Sequence, residues 1–210
     1  MPWRNGRGST LEIAREPAAG EEFAWRLSLA AITADGDFSV YRGYRRAIVL
    51  VSGNGLRLRF RGHGSASLNP TRRGARFEGD WKTHCAVPEG SCTDLSLIVR
   101  DGSGSRPACI VRAPLIRRIE ATRRVILSAD LYGAIFVLAG ATAVKEPKSV
   151  RPRRLRARDT LLLSPGASRV VTLQNRGRYP AQIAFLSWRP AADGPRSARG
   201  SARLRAKTGG

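Results

Sequence analysis

Five polar side chains stand in strands that are otherwise apolar, and their types suit recognition of a small carboxylate. Arg26 and Ser28 alternate with Trp25, Leu27 and Leu29, and Asp94 and Ser96 alternate with Leu95 and Leu97. Arg46 immediately precedes the apolar run Ala47–Val51. Successive strand residues point to opposite faces, so Arg26 shares a face with Ser28, and Asp94 shares one with Ser96. In a barrel one face of every strand points inward. With these faces inward, the barrel holds a cup of guanidinium, hydroxyl and carboxyl groups. A guanidinium fork matches a carboxylate with two parallel hydrogen bonds, and a buried one requires an anionic partner. That partner is either Asp94 or a bound ligand, and the sequence leaves both open.

The segment Arg4–Thr10 adds backbone amides, the Asn5 amide and two hydroxyls, those of Ser9 and Thr10, of which Ser9 is taken as the ligand-binding one. A Gly-rich turn of this composition can form an anion-binding concavity. It is not a phosphate loop, because the Walker spacing and its Gly-Lys-Ser/Thr ending are missing. The candidate ligand-binding set is therefore Arg4, Asn5, Ser9, Arg26, Ser28, Arg46, Asp94 and Ser96, and no residue is assigned a catalytic role.

Metal chemistry is disfavoured by ligand count. Metal-binding barrels draw on several histidines, whereas this chain has two, His63 and His84, and they form no His-x-His pair. His63 lies in a Gly-rich stretch that reads as a loop. His84 adjoins Cys85 on an expected strand, which turns the two to opposite faces and rules them out as a nucleophile and its base. Cys85, Cys92 and Cys109 are odd in number and contain no Cys-x-x-Cys pair, so neither a disulfide framework nor a thiolate zinc site is expected. Neither metal nor cofactor is expected.

These groups are carried by β-structure. Glycines and prolines break most candidate helices. Leu56, Leu58 and Phe60 alternate with Arg57, Arg59 and Arg61, which predicts a strand with one wet face. Ser52-Gly53-Asn54-Gly55 predicts a hairpin joining Ala47–Val51 to that strand. An internal repeat extends the pattern, since Ala47-Ile48-Val49-Leu50-Val51-Ser52-Gly53 reappears as Ala134-Ile135-Phe136-Val137-Leu138-Ala139-Gly140. Asp80 is matched with Asp159, and Asp94–Arg100 with Ala181–Trp188. The expected fold is all-β: a jelly roll with two similar lobes, 1–105 and 106–190, followed by a disordered basic tail over 191–210.

The net charge of +21 points first to nucleic acid or an anionic surface. Its distribution argues otherwise. Residues 1–105 carry 15 cations against 11 acids, and residues 106–210 carry 22 against 5. Much of the excess lies in Arg151–Arg158 and after Arg189. No helix-turn-helix pattern or set of aromatics interleaved with cations accompanies it, so nucleic acid is not the expected partner. No apolar run is long enough for a membrane helix, and the N-terminus lacks a signal-peptide pattern, so no membrane partner and a cytoplasmic location are expected. A homodimer is left open.

Five blocks together resemble one family. These are Met1–Ile13 with Trp3-Arg4-Asn5-Gly6-Arg7-Gly8-Ser9, Phe23–Ala30, Asp35–Ser39, Gly43–Arg46 and Asp94–Leu97. In order and spacing they are similar to the HutD/Ves proteins, cupin-like proteins that accompany bacterial histidine degradation. The resemblance implies a metal-independent cup for a small carboxylated metabolite, such as urocanate or a formyl- or formimino-glutamate. It also implies an accessory or regulatory role rather than a catalytic one. Two departures bear on the ligand: Arg7 stands where the family has Gly, and Ser96 where it generally has Asn. The alternative is an isomerase or hydrolase using Asp94 or Glu12 as general base. An Arg-rich nucleic-acid binder is the third reading.

Overall fold

The computed structural model describes residues 1, 3, 6–17, 22–101, 110–112, 114–147, 149–166 and 169–191. The chain is all-β, with no helix among the described residues. It divides into two compact units, Met1–Pro114 together with Pro190 and Ala191, and Leu115–Arg189. Ala191, expected in the tail, is buried in the first unit, and its amide donates to the Arg100 carbonyl at 3.1 Å. The rest of the expected tail lies outside the described residues.

The first unit packs two antiparallel sheets. One is built from β1 (Gly8–Glu16), β2 (Trp25–Ile32), β4 (Tyr44–Ser52), β7 (Gly74–Glu78) and β9 (Cys92–Arg100), in the order β1-β2-β9-β4-β7. The other, from β3 (Gly36–Asp37), β5 (Leu56–Phe60), β6 (Gly64–Leu68) and β8 (Thr83–Ala86), runs β3-β8-β5-β6. β10 (Ile110–Val111) follows, and its Val111 carbonyl accepts a 2.8 Å hydrogen bond from Arg76. The alternation in β5 is as expected: Leu56, Leu58 and Phe60 are buried and Arg57 and Arg59 exposed. Ile48, Leu50, Leu56, Leu58, Phe60 and Phe77 form the centre of an apolar cluster between the sheets.

The Ser52–Gly55 turn does not make the expected hairpin. β4 pairs with β7 and β9, while β5 pairs with β6 and β8, so the turn carries the chain from one sheet to the other. Gly53 has φ +94°, and any Cβ there would fall 2.7 Å from the Cys92 Cβ. The glycine is required by this close crossing.

The second unit repeats the plan. β11 (Leu115–Ile119), β13 (Tyr132–Ala139), β16 (Thr160–Leu163) and β18 (Ala181–Arg189) pair in the order β11-β18-β13-β16. β12 (Thr122–Leu127), β14 (Ala141–Lys145), β15 (Arg153–Arg156) and β17 (Arg169–Asn175) pair in the order β12-β17-β14-β15. Register fixes the internal correspondence. Ile48 lies opposite Ser96 and Ala75, as Ile135 lies opposite Phe185 and Leu161. β13 is thus the counterpart of β4, and β18 of β9, as the sequence suggested. The counterpart of β7 is β16, which corrects the third match: Asp80 follows β7 whereas Asp159 precedes β16. Their roles differ accordingly, since Asp80 accepts from the Gly43 amide and Asp159 from the Arg156 amide, each at 2.9 Å.

Candidate functional site: a polar cup in the first unit

Three neighbouring strands assemble the site. Across β2, β9 and β4, one inward row reads Arg26–Ile98–Arg46, the next Ser28–Ser96–Ile48 and the third Ala30–Asp94–Leu50. The rows grade from cationic through hydroxyl to carboxyl and then into the apolar cluster. All of these except Ile48 and Leu50 line a cavity of about 460 Å³, with Asp37, Phe38, Ser39 and Tyr41 forming another wall and Trp3 and Thr10 a third.

The arginines are held mainly by aromatic rings. The Arg46 Cζ lies 4.8 Å from the Phe38 centroid, 5.0 Å from Phe77 and 5.7 Å from Tyr41. Arg26 lies 4.9 Å from Phe23 and 5.3 Å from Tyr41, whose hydroxyl accepts its Nη2 at 2.7 Å. A cation over a ring is worth roughly 2 kcal/mol when desolvated. That stabilises the guanidinium without using its in-plane hydrogen-bonding edge. The Nε atoms of Arg26 and Arg46, the Asp94 Oδ1 and the Ser96 Oγ are all buried without a hydrogen-bond partner. Orphaned buried polar atoms are costly, about 1–3 kcal/mol each and more when charged, so their concentration around one cavity indicates an unmet partner.

Burial dominates the electrostatics. It pushes Asp94 up from 3.8 to about 7, against the pull of the Arg46 guanidinium and a hydrogen bond from the Ala30 backbone. Burial also lowers Arg46 to about 10, with Asp94 opposing, so Arg46 remains charged near neutrality. Cys85 and Cys92 are pushed up by burial to about 12 and about 11, which keeps both thiols protonated and unreactive.

Of the expected ligand-binding residues, Arg26, Ser28, Arg46, Asp94 and Ser96 meet in this cavity. Arg4 and Asn5 lie outside the described residues. Ser9 is exposed and does not line the cavity; Thr10, its neighbour on the opposite face of β1, takes the inward place. Thr10 is fixed there by the Trp3 indole, which donates to its Oγ1 at 2.8 Å. The internal Arg26–Asp94 ion pair is not made. Arg26 is level with Ile98, four residues along β9 from Asp94, roughly 13 Å of extended chain. The sequence reading missed Phe38, Tyr41 and Phe77. Phe77 is opposite Arg46 through the β4–β7 register, and Tyr41 lies outside any strand, so neither has a local signal.

Neither histidine lines the cup, although His84 contacts Asp37 of its wall. His63 stacks on Trp81 at 4.4 Å, and the exposed His84 meets Asp37 at 2.7 Å. Among the described residues, no group of three or more His, Cys, Asp or Glu converges as a metal site.

Two antiparallel sandwiches with a ligand-sized cup define a cupin-like protein, and the fold matches the cupin 2 conserved barrel domain protein of Leptotrichia buccalis at a TM-score of 0.52 and 9% identity, over 87% of this chain and 88% of that one. More closely, the HutD family profile matches residues 1–180, and the chain belongs to the HutD family. It is 41% identical over 99 residues to an uncharacterised 21.2 kDa protein in the hutC 3′ region of Pseudomonas putida, covering 47% of this chain. That match spans 52%, about half, of the relative's length. Protein Ves of Citrobacter koseri is 31% identical over 143 residues, 66% of this chain and 68% of Ves. A conserved protein of unknown function from Pseudomonas aeruginosa PAO1 superposes with TM-score 0.76 and 31% identity, over 90% of this chain and 93% of that one. HutD from Pseudomonas fluorescens SBW25 does so with TM-score 0.69 and 27% identity, over 91% and 94%.

Proposed function

We propose that the first unit binds a small carboxylated metabolite in this cup, and that the protein serves histidine degradation as an accessory or regulatory binder. The observation that carries this reading is the set of four unpartnered polar atoms around one cavity, two of them on guanidiniums. A carboxylate supplies what three of them lack, acceptor oxygens for the two guanidinium edges and the Ser96 hydroxyl, and leaves only the Asp94 Oδ1 in want of a donor. The pathway is supported by the P. putida relative in the hutC 3′ region and by the P. fluorescens HutD structure from a formate condition.

Thermal shift with formate, urocanate, N-formylglutamate and formiminoglutamate, beside neutral amide analogues, tests this. Binding to the native state alone adds about 2.7 kcal/mol at a hundredfold excess over Kd. Acids are expected to raise Tm and amides not. Arg26→Lys keeps the charge but loses the fork, so it should weaken binding with near-normal stability. If acids and amides shift Tm equally, or neither does, the reading fails.

One observation favours a second reading. A buried carboxyl titrating at about 7 beside an open cavity is suited to general acid–base catalysis. Glu12, the other carboxylate considered, is exposed on β1. Turnover of these metabolites by the purified protein, lost in Asp94→Asn, would establish an isomerase or hydrolase instead.

A further inference from the structure

Asp94 sits where a bound carboxylate would have to meet it. Its side chain is 1% exposed on β9, level with Ala30 and Leu50, and its Oδ1 lacks a partner. The groups around it are Arg46 from β4, Arg26 from β2, Cys85 from β8, Cys92 at the start of β9, Asp37 at the end of β3, and Tyr41 from the segment between β3 and β4. Asp35 lies near Cys85 and accepts the Val87 amide at 2.8 Å. The Met1 ammonium is at the rim and donates to the Thr10 carbonyl at 2.6 Å.

Two carboxylates brought together in one cavity resist joint ionisation, since each raises the other's proton affinity. Arg46 is the cation whose field most opposes protonation of Asp94, and it is also the guanidinium a ligand would engage. Ligand binding therefore adds a like charge beside Asp94 and offsets the Arg46 field that opposes its protonation. Protonation removes the conflict and converts an orphaned acceptor into an O–H donor directed into the cup.

We propose that the cup takes up one proton with each carboxylate it binds, and that Asp94 is the group that receives it and donates to the ligand. This rests on the carboxylate-binding reading above and specifies how that site selects and is regulated: uptake favours carboxylates that present a second acceptor to Asp94, and binding weakens as pH rises. Because Asp94 is already poised at about 7 without ligand, the uptake is largest above neutrality. Proton and carboxylate strengthen each other's binding reciprocally.

Isothermal titration of the full-length protein with N-formylglutamate and with formate, at pH 8 in Tris and in phosphate, measures the proton count from the difference in apparent enthalpy. The expected result is uptake approaching one proton, with Kd rising close to tenfold per pH unit above neutrality. Asp94→Asn, which keeps the size and supplies an N–H donor, should show no uptake and a flat pH profile at whatever affinity it has. Binding without uptake in the unmodified protein overturns the proposal, as does uptake that persists in Asp94→Asn. If Asp94→Asn does not fold, the pH slope of the unmodified protein decides, and a slope of zero overturns it. Failure of every carboxylate to bind at any pH overturns the underlying reading, and this inference with it.

Discussion

The two units lay equivalent strands side by side and fill them differently. Even the irregularities correspond: β4 shifts register against β9 between Leu50 and Ser52, and β13 shifts against β18 between Val137 and Ala139. Within that shared frame, Asp94 of the first unit corresponds to Ile183 of the second, Ser96 to Phe185 and Arg46 to Gly133. The second interior is closed by Ile135, Val137, Ile183 and Phe185, all buried. A Cβ on Gly133 would already press within 3.2 Å of Leu127 and 3.3 Å of Phe185. The second unit thus keeps the architecture with Ile183 and Phe185 at the places of Asp94 and Ser96, and Ser187, opposite Gly133, as the polar residue of that face, so the fold itself does not call for the charged groups of the first unit. Buried charge costs stability that apolar packing does not, and replacing buried ionic groups with well-packed apolar ones is often neutral or stabilising.

The largest test of this contrast is to write the first unit's residue into the second. Gly133→Arg places a guanidinium among Leu127, Phe185 and Leu163, with neither room nor a counter-ion. A loss of more than about 5 kcal/mol, enough to abolish folding, is expected from an unpaired buried charge together with overpacking. A soluble variant with near-normal denaturant midpoint would show that the second interior is not the closed core described here.

Truncating the matched pair Phe185 and Ser96 should give an asymmetric result. Phe185→Ala is expected to cost about 3–5 kcal/mol by opening a cavity. Ser96→Ala removes an unpartnered hydroxyl and should change stability by less than about 1 kcal/mol, while weakening carboxylate binding. Chemical denaturation of both variants checks this, and comparable losses would mean that Ser96 is structural.

The smallest effect is a pH dependence confined to the first unit. Asp94 holds its proton up to about 7 when folded but releases it near 3.8 when unfolded. Between those values the unfolded state binds fewer protons than the native state, so the contribution to stability falls as pH rises and levels off above 7. Asp94→Asn should remove that decline, and the difference in Tm between the two proteins should therefore grow in favour of the variant from pH 5 to pH 8. Parallel Tm profiles would contradict it. Ile183, at the equivalent place, has no titrating group and can contribute nothing of this kind.

Much of this was legible in the residues. The alternation of Arg26 and Ser28 with Leu27 and Leu29, and of Asp94 and Ser96 with Leu95 and Leu97, determined which side chains share a face, because strand geometry has a period of two whatever surrounds it. The repeat around Ala47 and Ala134 likewise showed that β4 and β13 are counterparts. Pairing was not legible. Ser52–Gly55 has the residues of a hairpin turn, yet whether β5 returns beside β4 or crosses to the other sheet depends on partners distant in sequence, β7 and β9 on one side and β6 and β8 on the other. The Asp80–Asp159 match failed for the same reason, since similar local residues flank opposite ends of corresponding strands. Tertiary structure alone decided that Arg26 and Asp94 lie too far apart along β9 to pair, that Thr10 rather than Ser9 turns inward, and that aromatic rings from three separate segments cover the guanidinium faces. Burial decided the rest: a carboxyl titrates near neutrality only once the fold has removed its water, and no property of an isolated Asp-Leu-Ser-Leu segment contains that fact.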